Sequence, residues 1–118
     1  MRTIERLRAA GWALWAAVSV TAKVRRRPLP DVTVPRPPPV GDHATVAVRA
    51  ALRLTRRTCL VRSLVLQEWE VAHGSHRDLV IGVTPPSEGF EAHAWLDGDP
   101  LPAGRQFTPL LRRAPRAG

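Results

Sequence analysis

Apolar positions recur with helical period in three stretches of this chain, and the period then shortens to that of strands. Over residues 3 to 24, Leu7, Trp12, Leu14, Trp15 and Val18 among alanines give a helix an apolar face that Gly11 only weakens. From Asp42, a residue able to cap, Ala44, Ala47, Val48, Ala51, Leu52 and Leu54 form a second stripe ending at Arg56-Arg57, which predicts a helix over about 43–56. A third helix is predicted from Thr58 as N-cap to about His73, where Gly74 supplies the left-handed stop. Leu60, Val61, Leu64, Val65, Val71 and Ala72 share its broad apolar face, with Glu68 as a charged exception.

Leu79-Val80-Ile81-Gly82-Val83 is a short apolar run between turn residues, which predicts a buried strand, and Pro85 to Gly89 a loop. Phe90 to Leu96 alternates, with Glu91, His93 and Trp95 on one face and Ala92, Ala94 and Leu96 on the other. Asp97-Gly98 ahead of Asp99-Pro100-Leu101 is a two-residue hairpin signal. Beyond Phe107-Thr108-Pro109-Leu110, the Arg- and Pro-rich tail from Arg112 is expected to fray. Arg25 to Arg27 followed by Pro28, Pro30, Pro35 and Pro37 to Pro39 ends the first helix in an extended, partly polyproline segment. These elements predict an α+β fold with N-terminal helices packed on a small antiparallel sheet. The expected layout is a docking helix over 1–27, a Pro-rich linker over 28–42 and a core over 43–118.

Composition narrows the function classes. At 118 residues one domain with one modest core is expected. A net charge of +8 favours acidic partners, but all 18 cations except Lys23 are arginines, Tyr is absent and aromatics make up 5%, which fits nucleic-acid recognition poorly. One cysteine excludes an internal disulfide framework and fits a reducing cytoplasm. Against that, Arg2, Arg6 and Arg8 precede an uncharged stretch, Ala9 to Ala22, that imitates a signal peptide. That stretch is shorter than the roughly 20 residues needed to span a bilayer. A buried or interfacial helix is expected instead, with Trp12 and Trp15 suited to a protein surface and membrane contact the lesser alternative.

The lone cysteine, Cys59, falls where the third helix begins, and unpaired N–H groups at a helix start favour a nearby anion. A thiol there, facing His93 on a neighbouring strand, is the arrangement acyl-transfer chemistry uses: the sulfur attacks a carbonyl and the imidazole shuttles the proton. The same residues also suit a plainer role, with Cys59 a small buried hydrophobe and His93 a hydrogen-bonded strand residue. His73 and His76 lack companion ligands at zinc spacing and are expected to be solvated, so no metal site is predicted. Gly-rich phosphate loops are missing, so no cofactor is predicted and any ATP step belongs to another protein.

The segments RRTCLVRSLVLQEW, LVIGVTPPSEGFEAHAWLDGD and FTPL, in that order, resemble the transglutaminase-like leader peptidase of lasso peptide biosynthesis, the peptidase part of that family's B protein. The resemblance covers about 43–110. It implies a papain-like core with a Cys-His-Asp triad that removes the leader from a ribosomally made precursor before an ATP-dependent cyclase closes the macrolactam. By motif, Cys59 takes the place of the nucleophile and His93 that of the base. The family's acid lies about a dozen residues beyond the histidine, where this chain has Arg105. A hairpin shortened at Asp97-Gly98 would pair Leu96 with Asp99 and His93 with Pro102, leaving no acid beside His93 unless distortion returned Asp97 or Asp99, or a carbonyl took that role.

The partners implied are the precursor peptide, a separate leader-binding protein and, as a further candidate, the cyclase. The N-terminal helix is the expected docking surface. Two other readings stay open: a catalytically impaired scaffold of the maturation complex, suggested by the missing acid, and a basic nucleic-acid-binding protein, suggested by charge alone.

Overall fold

The structure, a computed structural model, describes residues 1–102 and 106–116. Three helices, α1 (Arg2–Val24), α2 (Thr45–Leu54) and α3 (Cys59–Ala72), precede three strands, β1 (Leu79–Val83), β2 (Ala92–Leu96) and β3 (Thr108–Arg113). The strands form one antiparallel sheet in the order β2-β1-β3. The fold is α+β, with α3 packed against β1 and β2, and α1 packed on α2 and α3.

The helix starts follow local chemistry only in part. Thr58 caps α3, its side-chain oxygen accepting from the Val61 N–H, and Gly74 adopts the left-handed conformation at φ 88° just beyond the other end. Asp42 caps nothing. It opens a 3-10 turn, Asp42–Ala44, and α2 starts at Thr45 with no side-chain cap.

One core joins the N-terminal helix to the rest. Ala9, Trp12, Ala13, Ala16, Ala17 and Val20 of α1 are buried with Leu64, Val65 and Trp69 of α3. Alanines on this face let the helix axes approach closely, and Trp12 fills the remaining space, its ring centroid 5.8 Å from that of Trp69. The proline-rich segment lies against the same core through Val32, Val34 and Val40. Trp12 donates its indole N–H to the Pro35 carbonyl, and Lys23 donates to the Thr33 carbonyl. Trp12 is therefore unavailable to a partner, whereas Trp15 on the opposite face is 61% exposed.

Several local expectations need correction. Ala72 is exposed, and the buried face of α3 includes Ser63, Gln67 and Trp69. His73 is half-buried rather than solvated, with ring nitrogens 2.7 Å from the Trp69 carbonyl and 2.8 Å from that of Val40. Glu68 is half-buried, and burial raises its carboxyl pKa against the opposing charges of Arg113, Arg116 and Arg36. Asp97-Gly98 does turn the chain, but 99–101 forms no strand on β2. β1 lies between β2 and β3, so the register that paired His93 with Pro102 is replaced by one pairing His93 with Gly82. The tail does not fray at Arg112: β3 continues to Arg113, which is buried and donates to Gln67 Oε1 and the Val32 carbonyl. Gln67 Nε2 in turn donates to the carbonyls of Arg77 and Arg113, each at 2.9 Å. One buried amide thus joins α3 to the segment entering β1 and to the end of β3, and an unpaired buried amide would be costly.

Candidate active site

Cys59 is the first residue of α3 and half-buried, held there by the Thr58 cap one residue earlier. Its Sγ accepts a hydrogen bond from the Ala94 backbone N–H at 3.3 Å. One turn along the same helix, Ser63 Oγ donates to the Ala94 carbonyl, also at 3.3 Å. Both polar groups of Ala94 therefore face α3 while β2 pairs with β1 on its other side, so the outer edge of β2 is fixed against the start of α3.

That attachment sets the neighbouring residue. His93 precedes Ala94 and shares the opposite strand face with Trp95, so alternation turns its ring away from the core side where Ala94 and Leu96 are buried. The imidazole stacks on Trp95, with centroids 5.8 Å apart, and contacts Phe107 at 5.3 Å. Cys59 and His93 line one cavity of about 250 Å³, together with Ser63, Leu66 and Trp95 among others. A second cavity of about 380 Å³ lies between the proline segment and α3, lined by Glu68 and His73 but by neither Cys59 nor His93.

The electrostatics favour a neutral imidazole. Burial, and then the positive charge of Arg62, hold the His93 pKa below the usual imidazole value, against a smaller opposing influence from Glu91. Among the described residues, no carboxylate is hydrogen-bonded to the imidazole. Asp99 lines the cavity, but its Oδ1 accepts from Arg77 at 2.7 Å, and Arg77 also makes a two-point pair with Glu70. Asp97 Oδ2 accepts from Arg112 at 3.1 Å. The ring packing of Trp95 and Phe107 is what positions His93. Arg105 lies outside the described residues.

Both sequence-predicted site residues thus open onto one cavity. Sequence reasoning missed Ser63, although its position four residues after Cys59 places it on the same helix face. It also missed the Ala94 backbone, which carries no residue-type signal, the contact of Phe107 with His93, and the α2 residues Arg49 and Arg53 that line the cavity. Among the described residues no group of three or more His, Cys, Asp or Glu is placed to hold a metal ion. No helix there is long and apolar enough to cross a membrane.

The sequence model of the transglutaminase-like superfamily matches residues 3–112, a span that runs from the second residue of α1 to the next-to-last residue of β3. No curated protein and no solved structure matches the chain significantly.

Proposed function

Because the chain belongs to the transglutaminase-like superfamily, we propose that it is a cysteine peptidase that removes the leader from a lasso peptide precursor, with Cys59 as nucleophile and His93 as proton shuttle. The observation that carries this reading is the shared cavity of the chain's one cysteine and the strand histidine. The lasso assignment draws on the motif resemblance.

In this mechanism Cys59 Sγ bonds to the scissile carbonyl carbon while His93 takes the thiol proton. The carbonyl oxygen becomes an oxyanion, and unpaired N–H groups in the first turn of α3 are suited to receive it. Collapse breaks the C–N bond, and His93 gives its proton to the departing amine. Water then attacks the thioester, with His93 accepting its proton and returning it to the sulfur as the acid product leaves. Ala94 N–H, already on the sulfur, stabilises negative charge there before attack and after thioester cleavage. The peptidase would act in the cytoplasm with a separate leader-binding protein that delivers the precursor, and with the cyclase downstream.

The test mixes the protein with precursor and leader-binding partner and follows leader release by mass spectrometry for wild type, Cys59→Ala and His93→Ala. Release by wild type and loss in both variants is expected. A second reading, a scaffold without catalysis, is favoured by the lack of a described carboxylate on His93. It requires that maturation continue with Cys59→Ala.

A further inference from the structure

The walls of the Cys59–His93 cavity are chemically one-sided. Leu52, Leu66, Trp95 and Pro100 supply apolar surface, while Arg49 and Arg53 of α2 and Arg62 of α3 supply three cations. Arg49 and Arg53 stand four apart on one helix, hence on one face, and Arg62 follows Cys59 by three, which places it over the same turn of α3. The guanidinium groups of Arg53 and Arg62 have no ion-pair or hydrogen-bond partner among the described residues. Arg49 reaches only a distant contact, 3.8 Å, with a Glu70 already paired to Arg77. The one anionic side chain in the described lining, Asp99, shares Arg77 with Glu70, so these two carboxylates exceed that guanidinium by one charge, which offsets Arg49. Glu91, whose charge reaches His93, does not line the cavity. Among the described residues two uncompensated cations, Arg53 and Arg62, therefore border a cleft with apolar walls.

Cations kept without internal partners at the mouth of a binding cleft attract an anion from outside, and a guanidinium fork matches a carboxylate in particular. We propose that the cleft selects peptide segments carrying an Asp or Glu side chain close to the bond presented to Cys59. The carboxylate would be held by Arg53 and Arg62. This substrate class rests on the peptidase reading of the site, and the apolar wall favours an uncharged residue beside the acid.

The single cysteine gives a clean readout, since alkylation at any thiol is alkylation at Cys59. Iodoacetamide transfers its acetamide methylene to the sulfur with loss of iodide, and intact mass follows the rate. Acetylated and amidated Ala-Glu-Ala-Glu-Ala and its Gln counterpart are compared as protectants. The Glu peptide is expected to halve the rate at a concentration about three- to tenfold below that of the Gln peptide, the range for one or two partly exposed Arg–carboxylate pairs. The preference should shrink to within about twofold in Arg53→Gln/Arg62→Gln and persist in Arg53→Lys/Arg62→Lys, which keeps the charge and controls for folding. Equal protection by the two peptides, or a preference that survives the Gln variant, overturns the proposal. Leader release is read separately: release together with equal protection removes only the acid preference. No release together with Glu-selective protection removes the peptidase and leaves an acid-binding cleft.

Discussion

Gly82 lies on β1 opposite His93, and a methyl group added there would sit 2.9 Å from the Thr108 carbonyl oxygen and 2.9 Å from Trp95 Cη2. One of these neighbours is backbone, at the point where the β1–β3 register shifts between Ile81 and Gly82. The other belongs to the ring on which His93 stacks. Overpacking of this kind costs about 1–3 kcal/mol. Replacing glycine by alanine in a strand returns roughly 0.5–1 kcal/mol of backbone entropy. Gly82→Ala is therefore expected to destabilise by about 1–2 kcal/mol net, lowering Tm by roughly 3–10 °C for a domain of this size. Thermal unfolding followed by circular dichroism measures it. Gly82→Ala/Trp95→Phe removes the ring carbon but leaves the carbonyl contact, so the double variant should recover part of the loss in a mutant cycle. An unchanged or raised Tm in the single variant would refute the close-packing argument.

Other outcomes follow from the site and the outer surface. Ser63→Ala removes the hydroxyl bonded to the Ala94 carbonyl and is expected to cost about 1 kcal/mol. It should also lower kcat more than it raises KM, measurable by denaturant unfolding and steady-state cleavage. Because Arg62 helps to hold the His93 pKa down, Arg62→Gln should raise that pKa. If cleavage needs neutral His93, the acid limb of the kcat/KM profile then moves to higher pH, and a limb that stays or moves lower contradicts the assignment. Leu14 and Trp15 are exposed on the α1 face opposite the core, so Leu14→Glu/Trp15→Glu should abolish co-purification with a leader-binding partner while leaving Tm within a few degrees. Removing residues 1–27 would strip Ala13, Ala16, Ala17 and Val20 from the core and unfold the protein, which makes the point substitutions the informative change.

The elements that the sequence determined by itself are those whose signals are local. Thr58 as cap, Gly74 as stop, the strand at 79–83 and the alternation that puts His93 and Trp95 on one face depend on backbone dihedrals and side-chain period over a few residues. Cys59 and His93 were legible for the same reason: one marks a helix start, the other a strand position, and the motif order tied them together. Asp42 shows how far a local signal reaches, since a residue able to cap instead opened a 3-10 turn.

Strand order and long-range polar contacts were decided by the tertiary structure. The hairpin signal at Asp97-Gly98 was real as a turn, but β2 pairs with β1, and the two acids that only a distorted hairpin would have returned to His93 are engaged by arginines distant in sequence, Asp99 by Arg77 and Asp97 by Arg112. The same holds for Trp12, whose partners Trp69 and Pro35 lie far along the chain, and for Arg113, whose buried guanidinium donates hydrogen bonds to Gln67 Oε1 and the Val32 carbonyl. Such pairings depend on which surfaces meet once the helices pack on the sheet. That choice minimises buried unsatisfied groups and empty volume over the whole chain at once, and no window of neighbouring residues encodes it.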